Sequence, residues 1–212
     1  MSKIELKIRD LAKRYAASLD ERTSERMEEM ENDDNIHYLV YRVLGVLDKE
    51  GELIDLYQNK GRFLYKYAGS FLEEAATLCF VEKFGEDSAR KVKIPNTLGA
   101  RPKTFEIDCL VDEKRAYEIK WRDATTDGDH ITKEHTRIKV VKAAGYLPIR
   151  LMFFYPNREQ AIRIQQTLET LYKGIDGEYY YADSAWRHLK IVTGIDLKSI
   201  LEKIANENGG TE

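Results

Sequence analysis

Apolar residues recur every three or four positions through most of the first 84 residues, which is the period of an amphipathic helix. One series runs from Ile4 to Leu19, a second from Ile36 to Leu47, and a third from Arg62 to Phe84, before Gly85. Between the first two lies the stretch from Asp20 to Asp34, with eight acidic and two basic residues and no apolar face. It predicts an exposed helix or linker within an N-terminal helical region.

The period changes to that of strands after Gly85. Apolar or alternating runs at Val92–Ile94, Phe105–Val111 and Ala116–Trp121 predict three strands. The nearly all-apolar run from Ile149 to Tyr155 predicts a central strand that is covered on both faces. Helical spacing returns in four later segments: Thr132–Ala144, Ala161–Leu171, Ala185–Lys190 and Leu197–Ile204. The sequence therefore predicts an α/β fold with a mixed central β-sheet flanked by helices.

The composition fits one compact domain, since 42% of the 212 residues are hydrophobic and 33% are charged. We divide the chain into an N-terminal helical region at 1–60, a core at 61–175 and a C-terminal helical extension at 176–212, within a single structural domain. There is no apolar run of about 18 residues and no signal-peptide core, which predicts a cytoplasmic protein without membrane contact. Cys79 and Cys109 lie in apolar runs and are expected to be buried thiols.

Charge is distributed unevenly although its sum is only −3. Between Arg90 and Lys103 there are five basic residues and no acidic one, in contrast to the acidic stretch near the N-terminus. Such an asymmetry allows a basic face toward an anionic partner on a chain that is acidic overall.

The most informative residues lie on the two strands predicted at Phe105–Val111 and Ala116–Trp121. Alternate residues of a strand share a face, so Glu118 and Lys120 point to the same side. A connecting loop of three or five residues places Asp108 directly across from Glu118, with Lys120 on the diagonal. A loop of two or four residues without a bulge places them on opposite faces. The length of the turn therefore decides whether these side chains meet.

Two carboxylates across one hairpin repel each other unless a cation neutralises them. Carboxylate oxygens are ligands that suit Mg²⁺, which takes a few carboxylates and keeps several waters. Lys120 beside them would hold the attacking water or neutralise charge in the transition state. These are the groups that phosphodiester hydrolysis requires.

Asp108, followed ten residues later by Glu118-Ile119-Lys120, resembles the signature of the PD-(D/E)xK nuclease superfamily, and most closely its type II restriction endonucleases. The resemblance spans roughly Arg62 to Tyr172 and implies a restriction-endonuclease-like core. It further implies that Asp108 and Glu118 bind Mg²⁺, for which Mn²⁺ would substitute, and that Lys120 serves the hydrolytic water. Ile107 stands where the signature has proline.

Many members of that superfamily place one more metal-binding acid on the helix before the sheet. Glu74 falls in the apolar stripe with Tyr67, Phe71 and Leu78, where a carboxylate needs a partner. We therefore prefer Glu74 as the third ligand, and Glu73 remains the alternative.

Contact with double-stranded DNA is predicted for basic residues on both sides of the catalytic triplet. A polar loop with Arg122, Thr125, Thr126, Asp127 and Asp129 follows the triplet, and a basic helix follows the loop. The predicted DNA-binding residues are Arg101, Lys103, Arg122, Lys133, His135, Arg137 and Lys139.

The function predicted from these features is Mg²⁺-dependent type II restriction: hydrolysis of double-stranded DNA at a short, palindromic site by a homodimer. A repair or recombination nuclease of the same fold, such as a junction resolvase or an exonuclease, is the first alternative. A DNA-binding module without catalysis, in which the triplet is only a charged sheet face, is the second.

Overall fold

The computed structural model describes residues 1–122 and 128–209, and their contacts form two compact units. One unit comprises Asp10–Phe71, and the other combines Met1–Arg9 with Leu72–Glu212. The predicted regions 1–60, 61–175 and 176–212 have other boundaries and, as a division into domains, stay a prediction. Within the described residues, no helix has the length and apolar character needed to cross a membrane.

The larger unit is built on a sheet of five strands in the order β1-β2-β3-β4-β5. Neighbouring strands are antiparallel from β1 to β3 and parallel from β3 to β5, so the sheet is mixed, as predicted. The strands are β1 (Ala89–Pro95), β2 (Thr104–Val111), β3 (Arg115–Lys120), β4 (Leu147–Met152) and β5 (Glu178–Tyr181). The fifth strand, Glu178-Tyr179-Tyr180-Tyr181, was not predicted from the sequence.

Helices cover the sheet and supply its core. The helices of this unit are the N-terminal part of α1 (Lys3–Glu31), the C-terminal part of α3 (Asp48–Phe84), α4 (Gly128–Ala143), α5 (Glu159–Lys173), α6 (Asp183–Thr193) and α7 (Leu197–Glu207). Val140 and Val141 of α4 pack with Ile107 of β2, and Leu168 of α5 packs with Tyr179 of β5. Phe80 of α3 lies against Tyr117 of β3, with ring centroids 4.4 Å apart. The buried strand predicted at Ile149–Tyr155 is β4, in which every residue after Leu147 is buried.

The smaller unit is helical, and its elements differ in length from the prediction. The acidic stretch continues α1 (Lys3–Glu31) as an exposed helix, and α3 begins at Asp48 instead of near Arg62. The second predicted helix is reduced to α2 (Tyr38–Val43), which packs through its aromatic side.

Tyr38 and Tyr41 form this aromatic contact of α2. Tyr38 is 5% exposed and stacks on Tyr41, whose hydroxyl donates to Asp55 Oδ1 of α3 at 3.0 Å. The Tyr41 ring passes so close to Gly51 that a Cβ there would lie 2.7 Å from Tyr41 Cδ2, so a residue without a side chain is required.

Candidate active site

A tight turn fixes the register of the β2–β3 hairpin. Residues Asp112–Lys114 connect the strands, and the paired residues include Cys109 with Tyr117 and Val111 with Arg115. Asp112 and Glu113 adopt φ angles of 53° and 51°, the left-handed conformation that such turns use. The loop thus has three residues, one of the lengths for which the sequence predicts that Asp108 and Glu118 lie across from each other.

The structure brings Asp108, Glu118 and Lys120 together. Lys120 Nζ lies 2.5 Å from Glu118 Oε1 and 3.6 Å from Asp108 Oδ2. The backbone N–H of Ile119 donates to Asp108 Oδ2 at 2.8 Å, which fixes that carboxylate at the hairpin. Both carboxylates are buried, whereas about a third of the Lys120 side chain (31%) is exposed.

An irregularity in β2 coincides with Asp108. Lys91 of β1 faces both Asp108 and Cys109, because the register passes from Arg90–Leu110 to Val92–Ile107. Such a bulge interrupts the alternation of side chains and re-aims one of them. Strict alternation would place Glu106 on the same face as Asp108, but Glu106 pairs with Lys91 at 3.1 Å, while Asp108 contacts Lys120.

The two buried carboxylates have opposite electrostatic environments. Burial, followed by the negative charge of Glu118, raises the pKa of Asp108 above its ordinary value. Burial would also raise the pKa of Glu118, but the cationic groups of Lys120, Arg137 and Arg150 outweigh it and lower that pKa. The Lys120 pKa is raised, since the two carboxylates outweigh burial. Glu118 and Lys120 are therefore charged at neutral pH, whereas Asp108 protonates easily.

Of the two candidate acids on α3, the described contacts connect Glu73 to the sheet. Glu73 Oε1 lies 2.9 Å from Lys91 Nζ of β1, and its charge contributes to the raised pKa of Asp108. Glu74 lies half-buried on the same helix. Its assignment as a metal ligand stays a prediction.

Arg137 of α4 lies inside the site. Its Nη1 pairs with Glu118 Oε2, and its Nη2 donates to the backbone oxygen of Glu106 at 3.0 Å. Arg137 Nη1 is also 3.6 Å from Glu134 Oε2, one turn earlier on α4. These contacts hold the guanidinium beside the carboxylates, so the predicted DNA contact of Arg137 stays a prediction that the placement does not favour.

A buried charge network that the sequence analysis missed lies next to Glu118. Arg150 of β4 is 1% exposed, stands opposite Glu118 in the register and donates to Glu134 Oε1 at 3.0 Å. The Tyr172 hydroxyl donates to the same oxygen at 2.7 Å. The sequence does contain an indication of this network. Arg150 is the single charged residue in the apolar run Ile149–Tyr155, and a charge buried in such a strand requires a carboxylate partner.

The other predicted DNA-binding residues lie at the surface or partly buried. Arg101 and Lys103, between β1 and β2, are exposed, as are Lys133 and Lys139 on α4. Arg122 and His135 are partly buried. Thr125, Thr126 and Asp127 of the predicted polar loop lie outside the described residues, and the structure describes no side chain for Asp129. Their contacts with DNA stay predictions.

A group of three or more His, Cys, Asp or Glu side chains able to hold a metal ion does not occur in residues 1–122 and 128–209. What the hairpin offers is a pair of buried carboxylates, Asp108 and Glu118. Mg²⁺ is commonly bound by one or two carboxylates, with waters and substrate phosphates completing its six positions. The pair fits such an ion, because a divalent cation would offset the repulsion that raises the pKa of Asp108.

Comparison with known proteins identifies the family of the chain. The family model of ApaLI-like restriction endonucleases matches residues 1–206, nearly the whole chain. Neither a curated protein nor a solved structure matches the chain significantly. The mixed sheet flanked by helices is consistent with a restriction-endonuclease-like fold. The chain belongs to the ApaLI-like restriction endonuclease family and is thus a DNA-cleaving endonuclease.

Proposed function

We propose that this endonuclease is a Mg²⁺-dependent type II enzyme that cuts double-stranded DNA at a short palindromic site as a homodimer. The observation that carries the proposal is the meeting of Asp108, Glu118 and Lys120 at one point of a buried hairpin. Family membership supplies the substrate class, and the three side chains supply the groups that hydrolysis of a phosphodiester needs.

Asp108 and Glu118 would hold the divalent ion. When bound, Mg²⁺ or Mn²⁺ lowers the pKa of a coordinated water and neutralises charge on a phosphate oxygen. Asp108 would bind in its ionised form, since a ligand carboxyl must lose its proton. Glu73 is the acid of α3 that we favour as a further contributor, directly or through a water, with Glu74 as the alternative.

Lys120 would act as a cation and not as a base. Its raised pKa keeps the ammonium group protonated, so it donates hydrogen bonds and accepts no proton. The exposed third of its side chain leaves it accessible to substrate, while Glu118 fixes its position at 2.5 Å. In this position it would orient the attacking water and stabilise the charge that develops on the phosphate.

The basic residues that remain exposed would form the contact with the DNA backbone. Lys133 and Lys139 flank the buried side of α4, and Arg101 and Lys103 precede β2. Exposed lysine and arginine side chains suit phosphate contacts, which position a duplex without reading its sequence.

We further propose that the exposed aliphatic residues of segment 36–47, which contains α2, form the homodimer interface. Ile36, Leu39, Val40, Val43, Leu44 and Leu47 are each between 58% and 77% exposed. Exposed aliphatic residues concentrated in one segment of the chain are typical of an association surface. Its border carries both signs of charge in the exposed pair Arg42–Asp48, so two copies can meet through the same surface about a two-fold axis. A second copy would also supply the second active site that a palindrome requires.

Digestion of a phage or plasmid DNA of known sequence tests this function. We expect discrete fragments with Mg²⁺ and none with a chelator, and the sequenced ends should share one short symmetrical site. Cuts that follow DNA structure, or progressive loss from the ends, would instead indicate the repair or recombination nuclease. Binding without cleavage under any divalent ion would indicate the DNA-binding module.

A further inference from the structure

We propose that Arg137 is a positioning residue that reserves one oxygen of Glu118, and that the buried pair Glu134–Arg150 holds Arg137 in that place. The inference rests on the proposed function and assigns a further part of its site. It is based on the observation that the two oxygens of the Glu118 carboxylate contact different cations.

Each oxygen of Glu118 faces a different cation. Oε1 lies 2.5 Å from Lys120 Nζ, on the side where Asp108 lies, and Oε2 pairs with Arg137 Nη1. Oε2 is therefore held on the side of Arg137, and Oε1, which Lys120 contacts, is the oxygen toward Asp108. Arg137 thus fixes the direction in which the Glu118 carboxylate presents its two oxygens.

Arg137 is fixed in turn by three oxygen-bearing neighbours, the third at ion-pair distance. Besides Glu118, its guanidinium contacts the backbone oxygen of Glu106 at 3.0 Å and lies 3.6 Å from Glu134 Oε2. A planar guanidinium can meet several acceptors at once, whereas a lysine ammonium is a point charge on a flexible chain. The side chain is 19% exposed, so little water competes for these contacts.

Glu134 is itself held from the core. It is 4% exposed, and its Oε1 accepts from Arg150 Nη1 at 3.0 Å and from the Tyr172 hydroxyl at 2.7 Å. The Nε of Arg150 has no hydrogen-bond partner among the described residues. A buried ion pair with an unsatisfied donor is a poor means of stabilising a fold. The orientation of Glu118 through Arg137 accounts for the presence of the buried Glu134–Arg150 pair.

The test compares two replacements of Arg137 in the full chain. Arg137→Met removes the charge and the planar group, and Arg137→Lys keeps the charge alone. Two quantities are measured for each: the single-turnover cleavage rate at saturating Mg²⁺, and the affinity of the metal-free protein for Mn²⁺ by calorimetry. Arg163→Met on α5 is the matched control, since Arg163 forms an exposed pair with Glu159.

Arg137→Met should slow cleavage by roughly 10- to 100-fold, as the loss of groups that orient metal ligands does. It should also bind Mn²⁺ roughly threefold or more tightly, because a cation beside Glu118 is gone and its second oxygen is free. Arg137→Lys should keep the Mn²⁺ affinity and still lose roughly tenfold in rate. Glu134→Gln, which releases Arg137 from one side, should also slow cleavage by roughly tenfold.

Cleavage at the unaltered rate by either Arg137 variant would overturn the inference. So would Mn²⁺ binding that weakens in step with the rate, since that is the result of a general disturbance of the fold. If Arg137→Met fails to fold by circular dichroism, Arg137→Lys and Glu134→Gln decide the question. If the unaltered protein does not cleave DNA, the proposed function fails, and unchanged or weaker Mn²⁺ binding by Arg137→Met then overturns the inference independently.

Discussion

The hairpin site and the segment around α2 place their side chains in opposite ways. At the hairpin, charged residues such as Asp108, Glu118 and Arg150 are buried. Around α2, aliphatic residues such as Val43 and Leu44 are 77% and 75% exposed. Both placements cost free energy in an isolated chain, because charges lose hydration and apolar surface contacts water. The buried charges have partners within the chain. The exposed aliphatic residues are not covered by any other part of the chain that the structure describes.

The difference indicates two kinds of function. A cluster of buried charges is preorganised for chemistry, because its groups are held in place before substrate arrives. An exposed aliphatic face is suited to association, because its burial awaits a second surface. Each kind of site is broken by a different kind of substitution.

The largest effect is expected at the hairpin carboxylates. Glu118→Gln and Asp108→Asn should each lower the rate of DNA cleavage by roughly a thousandfold or more, because each removes a charge that the metal ion and Lys120 require. A supercoiled plasmid assay with Mg²⁺ measures this loss. Normal turnover by either variant, with circular dichroism unchanged, would contradict the proposed site.

The next effect concerns the stability of the buried network. Arg150→Ala should lower the free energy of unfolding by about 3–5 kcal/mol, because the buried Glu134 loses the cation that hydrogen-bonds to it. The double variant Glu134→Gln/Arg150→Met, which removes both charges, should lose much less. Urea denaturation measures both values. A double variant as unstable as the single one would show that the ion pair itself stabilises the fold.

Substitution in segment 36–47, around α2, should break association and leave the fold intact. Leu44→Asp is expected to weaken the dimer by about 1–3 kcal/mol, because a charge is brought into an apolar interface. Analytical ultracentrifugation over a concentration series measures the shift from dimer to monomer. Asp108→Asn serves as the control and should remain a dimer. An unchanged mass for Leu44→Asp would place the interface elsewhere.

The smallest effect is the dependence of stability on pH at Asp108. Its pKa is raised in the folded state, so the folded protein binds this proton more tightly than the unfolded chain does. Without metal ions, protonation of Asp108 therefore stabilises the folded state at low pH. This stabilisation is lost as pH rises from the ordinary pKa of an aspartic acid through the raised pKa of Asp108. Asp108→Asn should remove this dependence and stabilise the metal-free protein at pH 8 by about 1 kcal/mol. Thermal melts at pH 5 and pH 8 with a chelator measure it, and a lower melting temperature for the variant at pH 8 would contradict the sign.

Much of the sheet could be predicted from the sequence because local patterns carried the information. The turn at Asp112–Lys114 and the flanking alternation were sufficient to pair β2 with β3. β5 was missed, since four residues with three tyrosines give too short a pattern, and its burial comes from α5. The helix predicted over Ile36–Leu47 is longer than α2. Helical spacing shows that a helix in this segment would be amphipathic, but it does not show what would cover the apolar face.

The sequence by itself determined which residue types could do chemistry here: an acid and an acid–lysine pair on two adjacent strands. Only the tertiary structure decided that the turn between them has three residues, that Asp108 lies at a bulge, that Glu73 pairs with Lys91 of the sheet, and that Arg137 belongs to the site. The physical reason is distance along the chain. Turn and strand patterns depend on neighbouring residues, whereas the partners of Glu118 come from α4 and β4, and their charges meet only after the chain has folded.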